Sequence, residues 1–267
     1  VISTLSTTRD ATNPTFQGIR SPKKGLPTFG VSGFSTPLMG AMGFASPSIV
    51  SALLKSGVDP FETDRAGNDA FMFASVFGRL ENVKFWLKQY SDWDIESRNK
   101  MLGGTALSAT VYTSPNKLEL VKLLLELGAN VDSVSFAGVN ILMTACASED
   151  ADPSVIYELL KSTGKIVNTR AKSRALKWKV LRSLAKMMIR FDISSSQLVS
   201  RLANGAGITA LHYAVRRGDV DIVNLLLEHG ADPTIKNDLG KTPMDYTDAF
   251  PELRGALKRV VHHKKTN

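Results

Sequence analysis

At 267 residues, with 43% hydrophobic and 22% charged residues, the chain has the composition of a folded protein and the length for one long domain or two short ones. A single cysteine, Cys146, excludes an internal disulfide framework and fits a reducing, intracellular and cytoplasmic setting. No apolar run approaches the roughly 20 residues that span a bilayer, and the net charge of +8 points away from basic partners.

The chain opens on Val1 rather than Met, which reads as a fragment or a processed chain. Residues 1–30 are rich in Ser, Thr, Pro and Gly, carry few large apolar residues and do not form a secretory signal. They read as a flexible N-terminal linker.

A two-helix unit then recurs. Each copy opens on a short polar residue, runs into a thin apolar helix, breaks, and closes with a second apolar helix and a glycine. Thr36 opens the first copy in TPLMGA and Gly57 closes it. Asp69 opens the second, in DAFMFASVFGRLENVKFWL. Thr105 opens the third in TALSA, followed by LELVKLLLELG, and Asn140 the fourth in NILMTA. The fifth, Thr209 to Pro233, is the fullest: TALHYAVRRGDVDIVNLLLEHGADP. Thr242 opens a sixth in TPMDYTD, whose charged second helix suits a terminal cap at about 237–261. A helix pair of this size cannot bury its apolar face alone, so stacked copies are required.

The openings are 33, 36 and 35 residues apart, then 69, then 33. The long gap is twice a period of ~33, so a degenerate seventh layer is expected between Lys165 and Ala203. The array is then one domain over residues 31–267.

The Thr209–Ala214 segment, TALHYA, resembles the TPLHxA motif of the ankyrin repeat, with Ala210 in place of proline. The resemblance runs over about residues 31–261 and is closest at 204–245. It implies an all-α ankyrin-repeat solenoid of stacked helix pairs with short β-hairpin or loop connections. It also implies recognition of a partner protein on the concave side, from hairpin tips and the exposed ends of the first helices. Carried over copy by copy, the first-helix ends are Phe44, Phe77, Tyr112, Arg216 and Arg217, and the hairpin positions include Arg65, Met101, Leu102 and Phe136. Trp93, in the hairpin SDWDIE, is expected to join them. Aromatic residues where a merely soluble array places polar ones read as a protein-binding patch. The competing reading is that they pack on each other or on the folded-back linker 1–30.

No catalytic constellation stands out. There is no phosphate loop, no HExxH and no GxSxG, and no cofactor or metal is expected. His212 occupies the motif's own histidine, and Cys146 sits at its small-residue positions, which makes both structural.

One segment is strongly basic. Residues 165–203 hold ten Lys or Arg and one acid, Asp192, or +9 against +8 for the whole chain. Within it Lys179, Arg182, Lys186 and Arg190 recur at spacings of 3, 4 and 4, one helical face, with Lys172 just ahead. A basic amphipathic helix over 172–191 suits an acidic protein, calmodulin or an anionic membrane surface; nucleic acid is the poorest fit. The expectation is a monomeric, non-catalytic scaffold or interaction module, or a targeting or regulatory module of a larger protein.

Overall fold

A computed structural model of the chain describes residues 35–114, 117–162, 165–173, 176–190 and 207–266. The expected linker, residues 1–30, lies outside them. The chain divides into two compact units, Val1–Ala129 and Asn130–Asn267.

The first unit holds three helix pairs: α1 (Pro37–Phe44) with α2 (Pro47–Lys55), α3 (Ala70–Val76) with α4 (Leu80–Gln89), and α5 (Ala106–Thr113) with α6 (Lys117–Glu126). Each first helix starts where a polar side chain replaces a missing backbone partner. Thr36 Oγ1 accepts from the Met39 N–H at 3.3 Å, Asp69 Oδ1 from the Met72 N–H at 2.7 Å, and Thr105 Oγ1 from the Ser108 N–H at 3.4 Å. The three first helices pack side by side in chain order, and each packs against its own second helix. Leu38, Met39, Met42, Phe71, Met72, Leu107 and Trp86 are buried between them.

Polar bonds fix the stacking. The Thr113 hydroxyl donates to the Val76 carbonyl at 3.1 Å. Asn82 of α4 donates from Nδ2 to the carbonyls of Met42 and Ala45, at 2.8 and 2.9 Å, and so covers orphan acceptors at the end of α1. The hairpins are tied as well, with the Lys100 N–H donating to the Ala66 carbonyl at 2.7 Å.

The second unit contains α7 (Ile141–Ala147), α8 (Pro153–Ser162), α9 (Leu176–Arg190), α10 (Ala210–Arg217), α11 (Val220–Glu228), a 3-10 turn η1 (Pro243–Tyr246) and α12 (Pro251–Thr266). Asn140 and Asp219 cap α7 and α11 through side-chain oxygens. α7, α10 and η1 pack in one row, and α8, α11 and α12 in another. Ile141, Leu142, Met143, Leu211, Ala214, Val215, Ile222 and Leu226 are buried.

This corrects the expectation of a seventh layer at 165–203. α7 packs directly on α10, so no layer intervenes. The Ala171 N–H donates to the Ile208 carbonyl at 2.8 Å, and the Gly207 N–H to the Ala171 carbonyl at 2.9 Å. Residues 174–206 are therefore an insertion springing from one hairpin, and α9 lies within it. Among the described residues there are six helix pairs or partial pairs, three per unit.

Gly138, at φ +79°, lies where a Cβ would strike the backbone of Lys172 and Ser173; only glycine lets the two hairpins come this close. Among the described residues the hairpins form no strand, only an isolated antiparallel bridge between Val134 and Asn140. Residues 262–265 continue α12 to Thr266.

Candidate functional site

The C-terminal ends of α1, α3 and α5 carry Phe44, Phe77 and Tyr112, one aromatic per layer. Neighbouring first helices place the first two rings together: the Phe44 and Phe77 centroids are 4.4 Å apart at 49°. Phe77 and Tyr112 both pack on a buried patch of Met72, Val76 and Ala109. Gly43 makes room, since a Cβ there would come 2.9 Å from the Phe77 ring. Phe44 stays 49% exposed, and Phe77 and Tyr112 are half-buried. The first unit thus holds three aromatic residues at the ends of successive first helices, Phe44 paired with Phe77 and open to solvent, Phe77 and Tyr112 half-buried on a shared patch.

Trp93 does not join that row. It stacks on Phe61 (5.4 Å, 16°), meets Trp86 edge-on at 5.0 Å and lies 5.9 Å from Tyr90. Phe61, 66% exposed, is a surface aromatic that periodicity does not reveal, since a lone phenylalanine after a turn gives no periodic signal. Of the hairpin positions, Arg65 and Met101 are exposed and Leu102 is half-buried.

In the second unit Phe136 is 37% exposed, with the Lys177 ammonium 5.4 Å from its ring centre. Arg216 is half-buried, its guanidinium 5.7 Å over the Tyr246 ring, while Lys241 Nζ lies 5.6 Å from the same ring. Arg217, expected on the recognition surface, instead donates to the carbonyls of Ser148 and, at 2.8 Å, Glu149. Its charge is used to cap the end of α7. Lys172 and Lys179 are exposed. Arg182, Lys186 and Arg190 lie on α9, but their side chains fall outside the description.

The buried titratable groups with shifted pKa values are structural. His212 is fully buried. Its Nδ1 lies 2.8 Å from the Thr209 hydroxyl, and its Nε2 donates to the Lys241 carbonyl at 3.2 Å. Burial, more than the backbone bond opposes it, lowers its pKa from 6.5 to about 4. Burial likewise pushes the Cys146 thiol up, away from a reactive thiolate. Asp69 is raised by burial despite the amide bonds it accepts. Among the described residues no group of His, Cys, Asp or Glu is placed to hold a metal ion, and no helix is long and apolar enough to cross a membrane.

Comparison with known proteins agrees with this architecture. The family model for the ankyrin repeat matches residues 206–238. The chain is 32% identical over 195 residues to the mitochondrial disaggregase of Bos taurus, covering 65% of this chain and 28% of that one. It is 28% identical over 199 residues to the palmitoyltransferase ZDHHC13 of Mus musculus, covering 72% and 30%. Among solved structures it resembles the ankyrin repeat domain of Bcl-3, with TM-score 0.54 and 28% identity, over 79% of this chain and 76% of that one. The chain spans less than a third of the length of these curated relatives.

Proposed function

The chain belongs to the ankyrin-repeat family, and from that premise we propose that it is a protein–protein recognition or scaffold module without catalysis of its own. The observation that carries this reading is the row Phe44–Phe77–Tyr112. Three aromatic residues from successive layers, Phe44 open to solvent and Phe77 and Tyr112 partly so, form the kind of patch on which a partner's apolar side chains are desolvated. Arg65, Met101 and Leu102 of the same unit are its accompanying contacts; Phe136 and Arg216 are candidate contacts of the second unit taken by itself. The diversity of the relatives supports a non-catalytic role. A disaggregase and a palmitoyltransferase, two different activities by name, both match this stretch in sequence.

The partner is another protein, the chain is a monomer alone, and the setting is intracellular, with a mitochondrial one suggested by the bovine relative's name. A second reading, a targeting or regulatory module within a larger protein, is favoured by the fraction of the relatives' length that the chain spans. Capture of partners by the immobilised chain, followed by cross-linking, tests the main reading. Loss of partners with Phe44→Ser, while the melting temperature holds, is the expected result. An unchanged partner set removes the aromatic row from the function.

A further inference from the structure

α9 presents an apolar stripe to solvent. Val180, Leu184 and Met187 follow each other at spacings of 4 and 3, with Leu181 beside them, and they are 48%, 48%, 46% and 41% exposed. Four aliphatic side chains on one helix are thus uncovered, an arrangement a solvated helix does not need. Lys179, Arg182, Lys186 and Arg190 recur along a neighbouring line of the same helix. Residues 174–206 hold seven Lys or Arg and one acid, Asp192, so +6 of the chain's +8 sits on this insertion. The Ala171–Ile208 and Gly207–Ala171 hydrogen bonds close the hairpin without it, which leaves the helix an appended element rather than a layer of the stack.

We propose that α9 is a helix-in-groove ligand whose occupant is an acidic helical protein with an apolar, methionine-lined groove, the chemistry of calcium-loaded calmodulin. The stripe has the i, i+4, i+7 anchor spacing that such a groove reads, methionine-rich walls adapt to anchors of mixed shape, and an acidic rim complements the basic line. A bilayer fits less well. The exposed apolar strip, Val180 to Met187, is short for insertion among acyl chains. This inference is independent of the aromatic row.

Titration calorimetry of the full chain with calcium-loaded calmodulin tests it. The expected result is a one-to-one complex of micromolar or tighter affinity that EGTA abolishes and that Leu184→Gln combined with Met187→Gln weakens at least about tenfold. Both side chains are exposed, so the double variant keeps its fold, and its thermal melt checks that. Replacing residues 174–206 by a two-glycine link should remove binding altogether. No binding by the wild-type chain overturns the proposal, as does binding that survives either change. Sedimentation with phosphatidylserine vesicles in place of calmodulin binding overturns it in favour of an anionic lipid surface.

Discussion

Nε2 of His212 donates to the Lys241 carbonyl at 3.2 Å, while Nδ1 of the same ring accepts from Thr209. The ring thus joins the start of α10 to the next hairpin, and it does so as a neutral imidazole. A proton on Nδ1 would face the Thr209 N–H. The folded pKa is about 4 against an ordinary 6.5, so the unfolded chain takes up the proton first. Stability is full above pH 6.5 and falls as the pH drops towards 4. Between pH 7.5 and 5 the loss is about 2 kcal/mol. Urea unfolding at the two pH values measures it, and His212→Gln should flatten the slope in that window.

Leu226 is fully buried in α11, which packs on α8, α10 and α12. Leu226→Ala should destabilise the second unit by about 2–5 kcal/mol, through lost burial and the cavity left behind. A denaturation midpoint within the range of surface substitutions would refute this packing.

Gly138→Ala meets two penalties at once: a left-handed backbone conformation and contact with the Lys172 backbone. The strain alone costs about 1 kcal/mol, and the displacement of the hairpin adds to it. The expected signature is a lowered melting temperature together with faster amide exchange at Lys172 and Ser173.

The aromatic row separates binding from stability unevenly. Phe77 rests on the buried Met72–Val76–Ala109 patch and touches Phe44 and Phe73, so Phe77→Ser should cost about 1–3 kcal/mol of stability as well as partner affinity. Phe44, half open to water, should lose affinity with a stability change below about 1 kcal/mol. Melting curves of the two variants, recorded beside partner capture, distinguish these outcomes.

Removing residues 174–206 should leave the unfolding transition of the remaining stack close to that of the intact chain, because α7 already packs on α10 and Ala171 already pairs with Gly207 and Ile208. Circular dichroism melts of the shortened chain check this. A collapse of cooperativity would restore residues 165–203 as an integral layer.

The helix starts were legible in the sequence. Thr36, Asp69, Thr105, Asn140, Thr209 and Thr242 all stand at N-caps, because capping is a local requirement with a short list of suitable side chains. The number of layers was not legible from spacing. The insertion from 174 to 206 is 33 residues long, the length of one period, and length alone cannot separate a layer from a loop of equal size. What distinguished them was the missing motif: nothing in 165–203 matches TALHYA or the leucine run after it. The register of Phe44, Phe77 and Tyr112 followed from the repeat. The fates of Trp93 and Arg217 did not, since the Phe61 stack and the α7 carbonyls are met only through tertiary contacts.

Cys146 sits in α7, fully covered, with its thiol held in the protonated form. A thiol reagent reaches it only when the helix opens, so its labelling rate under native conditions is a clock for local opening of that layer. Because the chain has no other cysteine, the clock runs without background. It reads the free energy of one layer in place, under conditions where the protein as a whole stays folded, and a ligand that clamps α7 against α10 will slow it.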